Sequence, residues 1–394
     1  MKARHSVHPF PARMAPELAF ESLRHLRRDS VVLDPMSGSG TVLRQASDLG
    51  LSAIGFDMDP LAVLMARVWT TPINDTTAAE LSAFILSEAR SLRKKDVYLE
   101  WIDNDEETKG FVEFWFGKKQ LRELRSIAFV MNALAIDAGT SATPELDAMR
   151  ISLSRIIITK EQCASLARDT SHSRPHRVSL DSDYCCYSGF ERSAKAVRAR
   201  LMQNPPKRGA RVKLGDARSL KLKANSADAI LTSPPYLNAI DYMRGHRLSL
   251  VWLGHRLSAL RAIRSNTIGA ERGPDAQKEI VPHGRKQMGA VELLPARYGK
   301  MIDRYILDVY RMMNEMKRVL RPGGTATLVV GNSCLRSVFL SNSNLVHHAA
   351  LAAGFKLKNS AERPLPDGSR YLPTNVAGSL GKRMRTETVL TLAV

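Results

Sequence analysis

Val31-Val32-Leu33-Asp34-Pro35-Met36-Ser37-Gly38-Ser39-Gly40-Thr41 runs from a β-branched apolar strand through a Gly/Ser turn into a helix predicted over 41–49 and closed by Gly50. A second strand, Ala53-Ile54-Gly55-Phe56-Asp57, stops at Asp57, Asp59 and Pro60, and a helix carrying Leu61, Leu64, Met65 and Val68 follows. Strand, helix, strand, helix is the series of a parallel sheet with covering helices. It predicts an α/β fold of Rossmann-like type with about seven mostly parallel strands.

The series pauses near residue 70. Helices are predicted at 77–95, 117–137, 144–156 and 191–203, separated by polar loops. Strands resume with Arg211-Val212-Lys213-Leu214 and Asp228-Ala229-Ile230-Leu231-Thr232. Asp57 and Asp216 stand 159 residues apart, where neighbouring strands of such a sheet need only ~20–30, so roughly 130 residues form an insertion. The predicted organisation is a catalytic domain over 1–70 and 206–394, a largely helical insertion over 71–205, and a basic excursion over 237–300. A long helix is predicted at 301–320, ending at Arg321-Pro322-Gly323-Gly324. Strands at 325–330, 355–357 and 386–392 and a helix near 343–353 complete the chain.

The 394 residues hold 58 Lys+Arg against 39 Asp+Glu, a net charge of +19. That surplus favours a polyanionic partner, nucleic acid ahead of a membrane surface because no basic amphipathic helix stands out. Residues 160–214 hold twelve Lys/Arg against five acids, and 242–270 hold Arg244, Arg247, Arg256, Arg261 and Arg264 with no acid. With Arg174 and Arg177 these arginines are the candidate nucleic-acid contacts. The acidic run 96–107 is expected to face away from a polyanion. No apolar run reaches the ~20 residues that span a bilayer, and the polar N-terminus leads to no hydrophobic signal segment. Four Cys in 394 residues make no disulfide framework, so a reducing, cytoplasmic setting is expected.

The glycine loop is neither a Walker loop nor G-x-G-x-x-G, since no Lys-Ser/Thr pair and no third glycine follow. Asp34 inside it would repel phosphates but suits a ligand with an amino group and a cationic sulfur. Asp57, ending its strand, is placed to accept from ribose hydroxyls, and Asp216 to accept from an adenine amino group. Downstream, Thr232-Ser233-Pro234-Pro235-Tyr236 leaves a strand at the same sheet edge. Two prolines remove two donors and leave acceptors. A hydroxyl from Ser233 and a carbonyl from Pro234 suit a planar amino group, and Tyr236 offers a ring to an extruded base.

These motifs jointly resemble those of the S-adenosylmethionine-dependent DNA amino-methyltransferases: D-P-x-x-G-S-G-T at 34–41, G-x-D-x-D-P at 55–60, G-D-A-R at 215–218 and T-S-P-P-Y at 232–236. The resemblance covers about 1–70, 208–245 and 301–335. It implies a Rossmann-like methyltransferase fold and S-adenosylmethionine as cofactor. The cofactor would be held by Asp34, Pro35, Ser37, Gly38, Ser39, Gly40, Thr41, Asp57 and Asp216, with Phe10 of His8-Pro9-Phe10-Pro11-Ala12-Arg13 near the methionine moiety. It implies catalysis by Ser233, Pro234, Pro235 and Tyr236 on a base flipped from double-stranded DNA, and allows a cognate restriction endonuclease as a further partner.

Ser rather than Asp before Pro-Pro points, within that family, to cytosine N4, with adenine N6 the alternative. The order of the motifs excludes the circularly permuted groups, and no Pro-Cys nucleophile for carbon-5 methylation is present. The large insertion departs from the usual placement of a target-recognition domain and leaves both insertion and excursion as readers of the DNA.

Two further classes compete. An RNA base methyltransferase uses similar loops, but no added RNA-binding module is recognised; a catalytically silent DNA-binding protein would have lost one of the two intact motifs. His172-x-x-x-His176 has zinc-like spacing but no C-x-x-C beside it, so no metal is assigned. The stretch 171–177 suits phosphate contact or closure over the site. Asp241-Tyr242 reads equally as DNA contact or packing, and Trp252 and Leu253 as core.

Overall fold

The computed structural model describes residues 6–10, 13–137, 143–159, 162–168, 175–237, 241–268, 280–364 and 386–394. Arg174 and His172 fall outside them. The chain divides into two compact units. A sheet unit holds Ala12–Met58, Ala210–Ile240 and Ile263–Val394; an inserted unit holds Met1–Pro11, Asp59–Gly209 and Asp241–Ala262.

Among the described residues the main sheet of this unit has seven strands: β1 (Val31–Asp34), β2 (Ser52–Asp57), β3 (Arg211–Leu214), β4 (Ala227–Thr232), β5 (Leu320–Gly331), β6 (Lys356–Pro364) and β7 (Thr386–Ala393); Ser333–Leu335 and Val338–Leu340 form a separate antiparallel pair. Their order across the sheet is β6-β7-β5-β4-β1-β2-β3. The five strands β3, β2, β1, β4 and β5 are parallel. β7 lies antiparallel between β5 and β6. This is the Rossmann-like, mostly parallel sheet expected from the series of motifs.

Short apolar runs such as Val31–Leu33 and Ala229–Leu231 become strands because, covered on both faces, they bury nearly every side chain. The amphipathic helix Gly299–Val319 lays Ile302, Ile306, Met313 and Met316 on a core that includes Leu33, Ile230 and Leu328. Gly55 is needed for packing: a Cβ there would stand 2.3 Å from Leu43 Cδ1, on the helix Thr41–Asp48.

Parallel pairing brings the ends of β1, β2, β3 and β4 to one edge, with Asp34 beside Gly55 and Asp57 beside Leu214. The chain turns from β1 to β2 on one side, whereas β4 lies on the other. The loops after β1 and β4 therefore flank the switch point where such sheets bind ligands.

Among its described residues the inserted unit is mostly helical, with a two-residue ladder pairing Ala167–Arg168 with His176–Arg177 and an isolated bridge between Phe116 and Ser165. Its boundary falls at Asp59 rather than near residue 70. The helix Pro60–Thr70 is tied within this unit: Arg67 forms a bidentate ion pair with Asp147, which is almost fully buried on the helix Pro144–Ile157. Residues 241–262 also join it rather than forming one excursion with 263–300; the Trp101 indole donates to the Val251 carbonyl at 2.7 Å. The N-terminal segment is held by His8 Nε2 and Ser154 Oγ, 3.0 Å apart. Among the described residues no helix is long and apolar enough to cross a membrane.

Candidate active site

In the sheet unit, the loop after β1 turns through Gly38 (φ 49°) and Gly40 (φ 89°), left-handed conformations that favour glycine. The Ser37 N–H donates to the Phe56 carbonyl at 2.9 Å, and the Gly38 N–H to Asp57 Oδ2 at 2.8 Å. The loop is thus pinned to the end of β2. Gly40 caps the helix Thr41–Asp48 without a side-chain acceptor, so no cap competes for the amides of its first turn. Ser37 Oγ and Ser39 Oγ are buried and have no hydrogen-bond partner among the described residues. Buried hydroxyls are normally satisfied, and these two are the atoms that a ligand in the loop would satisfy.

Asp34 is 3% exposed. Its Oδ1 accepts from the Thr232 hydroxyl at 2.7 Å and from the Met36 N–H at 3.2 Å. Burial pushes its pKa up to about 7 against those two hydrogen bonds, and the Asp57 charge adds to the rise. The Thr232 contact joins the glycine loop to the proline loop, a link between two motifs 198 residues apart in the chain.

Asp216 is already engaged. Its Oδ1 accepts from the Arg218 backbone N–H and Nε, both at 2.9 Å, and its Oδ2 from Nη2 at 2.6 Å. Arg218 reaches on to Asp308, 2.7 Å away and almost fully buried. Despite burial, these two carboxylates hold the guanidinium pKa above its ordinary value. Asp216 is therefore half of an ion pair, not an isolated acceptor.

The proline loop is anchored at several points. Ser233 Oγ donates to the Val329 carbonyl of β5 at 3.0 Å and lies 3.3 Å from the Tyr236 hydroxyl. The single Ser233 proton is committed to Val329, so Tyr236 is the donor in that second contact and Ser233 keeps a lone pair to accept with. Burial raises the Tyr236 pKa, which keeps the phenol protonated for that role. Pro234 is buried; Pro235 and Tyr236 are half-buried. Beyond the loop, the Leu237 carbonyl accepts from Ser333 Oγ at 2.6 Å, and Ser333 accepts from Asn342 Nδ2 at 2.8 Å. Sequence reading missed Ser333 and Asn342; the polar turn Gly331-Asn332-Ser333 at the end of β5 was the available signal.

In the inserted unit, the half-buried Phe10 stacks on Tyr242, ring centroids 4.8 Å apart and planes at 17°. Tyr242 in turn faces His246 at 6.0 Å. His246 Nδ1 meets Asp59 Oδ2 at 2.5 Å, and Asp59 Oδ1 caps the helix Pro60–Thr70 through the Leu61 N–H. Burial would raise the Asp59 pKa, but the His246 charge and hydrogen bond outweigh it and leave it lowered. Tyr242, left open between DNA contact and packing, belongs to this stack.

The candidate nucleic-acid residues separate. Arg177 is exposed, and its guanidinium lies over the Phe114 ring at 5.1 Å. Arg247 lies over Phe111 at 5.2 Å. Arg244 pairs with Asp241 at 3.0 Å, Arg256 with Glu100 at 2.6 Å and Arg261 with Glu107 at 2.5 Å. Arg264 falls in the sheet unit and is half-buried. The acidic run 96–107 therefore does not stand apart from the basic run as expected. Packing within the unit brings them together, as the Leu257 N–H donating to Thr108 Oγ1 at 2.9 Å shows.

A mostly parallel seven-stranded sheet carries acidic residues ending β1 and β2 and a Ser-Pro-Pro-Tyr loop at the same edge, a Rossmann-like arrangement. The chain is similar to several known proteins. Over 98% of its length the chain is 22% identical to the Type II methyltransferase M.MvaI of Kocuria varians, covering 90% of that protein. Over 65 residues, 16% of this chain and 12% of the relative, it is 37% identical to the Type II methyltransferase M.MjaII of Methanocaldococcus jannaschii. A solved S-adenosylmethionine-dependent methyltransferase of Methanosarcina mazei aligns at 10% identity and a TM-score of 0.33, over 96% of this chain and 97% of that one. No family model matches.

Proposed function

We propose that this protein methylates the exocyclic N4 amino group of cytosine in DNA, acting on a base flipped out of the duplex. The observation that carries this reading is the Ser233 hydroxyl: its proton goes to Val329 and its remaining lone pair is free to accept from an amino group. The methyl donor is S-adenosylmethionine, which supplies a methyl group on a cationic sulfur.

The residues proposed to hold it are Ser37, Gly38, Ser39, Gly40 and Thr41 of the loop, Asp34 and Pro35 before it, Asp57 and Asp216. The unsatisfied hydroxyls of Ser37 and Ser39 support that assignment. Ser233 and the Pro234 carbonyl accept the two amino protons and turn the nitrogen lone pair out of conjugation with the ring. Pro235 fixes the loop, and Tyr236 both donates to Ser233 and offers ring surface. Catalysis is then orientation and electrostatics, with no covalent adduct between protein and base.

The similarity to the Type II methyltransferase M.MvaI along nearly the whole chain supports DNA as the substrate. The test is expression in a host without DNA methylation, followed by nucleoside analysis of its DNA. N4-methylcytosine is the expected product. N6-methyladenine would move the assignment to the other amino group, and neither base in DNA would overturn it. Single-molecule sequencing of the same DNA would give the recognition site.

A further inference from the structure

Within the inserted unit, the helix Glu106–Trp115 collects arginines from three separate segments. Glu107, Phe111 and Phe114 stand at i, i+4 and i+7, one stripe running about 10 Å along the helix. Each meets a guanidinium: Arg261 pairs with Glu107 at 2.5 Å, Arg247 lies over Phe111 at 5.2 Å and Arg177 over Phe114 at 5.1 Å. Phe114 is 50% exposed, a large aromatic left at the surface. The other charged residues of the helix, Glu106 (paired with Lys109 at 3.3 Å) and Glu113, stand on a different stripe. The Phe stripe thus carries three guanidiniums against one carboxylate.

We propose that this stripe is a DNA-binding platform, with Arg177 and Arg247 engaging backbone phosphates and Phe114 stacking an unpaired base beside the target. A guanidinium held over an aromatic ring keeps N–H groups for phosphate oxygens, and an exposed ring accepts a stacked base. The surplus positive charge favours a polyanion over an apolar partner. The assignment rests on the DNA-methylation reading and places a DNA contact on the large insertion.

The test uses the full chain and a fluorescein-labelled duplex carrying the site mapped for the wild type. Phe114→Ala and Arg177→Ala should each weaken duplex binding about 5- to 100-fold, as loss of a stacked base or phosphate contact does. Arg177→Ala should also reduce the salt slope by about 1. S-adenosylmethionine affinity and melting temperature should hold, because both side chains are at the surface. Phe114→Leu, which keeps bulk and loses the ring, should resemble Phe114→Ala. Wild-type affinity and salt slope in the alanine variants, with DNA methylation intact, would overturn the platform alone. A wild type that methylates no DNA would instead overturn the function proposed above.

Discussion

The Thr232 hydroxyl at the end of β4 donates to Asp34 Oδ1 at the end of β1, 2.7 Å away and shielded from solvent. Neighbouring parallel strands thereby lock the glycine loop and the proline loop into one edge. Thr232→Val keeps the shape and removes the donor, leaving a buried acceptor short of a partner. A loss of about 1–3 kcal/mol is expected in denaturant unfolding, together with weaker binding of S-adenosylmethionine in calorimetry.

Asp34 also makes stability depend on pH. Its pKa is raised from 3.8 to about 7, so between those values the folded chain holds a proton that the unfolded chain has released. Stability from this group is therefore fully present below pH 4, falls as pH rises toward 7, and is level above it. Asp34→Asn should remove that slope. Melting temperatures of both proteins from pH 4.5 to 8, without ligand, check this; parallel curves would refute it.

Ser233→Ala removes the hydroxyl proposed to accept from the substrate amino group. We expect kcat to fall about 100- to 1000-fold, the scale for losing one oriented polar contact at a reacting centre. Ser233→Ala with Tyr236→Ala should abolish transfer while S-adenosylmethionine binding stays largely intact. Tritiated-methyl incorporation into DNA, alongside calorimetry, measures both. Retained transfer in the double variant would sink the catalytic assignment.

His246→Ala leaves the Asp59 carboxylate buried without its hydrogen-bond partner on Oδ2 and removes a ring beside Tyr242. The cost should be about 2–4 kcal/mol, visible in urea unfolding. His246→Ala with Asp59→Asn should recover part of that loss, because no buried charge is then left over.

Arg256 already faces Glu100 at 2.6 Å. Its removal should change the salt slope of DNA binding by less than the ~1 expected for a free phosphate contact. Equal effects of Arg256→Ala and Arg177→Ala in the same titration would show that Glu100 does not screen Arg256.

Gly55 and Gly40 illustrate how much of the fold was legible. Apolar runs bounded by Asp and Gly marked β1, β2 and β4, and the run Arg211–Leu214 ahead of Gly215-Asp216 marked the third strand. Local chemistry sufficed there, since buried strands and glycine turns leave signals within ten residues. The boundary at Asp59 and the recruitment of 241–262 were not legible, because they depend on Arg67 finding Asp147 and Trp101 finding Val251 across 80 and 150 residues.

The glycine loop that decides the fold thus carried its own role in the sequence: a tight turn, an acidic residue and a helix start, all enforced by neighbouring residues. Tertiary structure decided what those groups can do. It buried Asp34 and raised its pKa, spent the Ser233 proton on Val329, tied Asp216 to Arg218, and set Arg256 and Arg261 against the acids that charge counting had placed elsewhere. Proton ownership and charge pairing depend on distance and solvent exclusion, and a linear spacing of residues encodes neither.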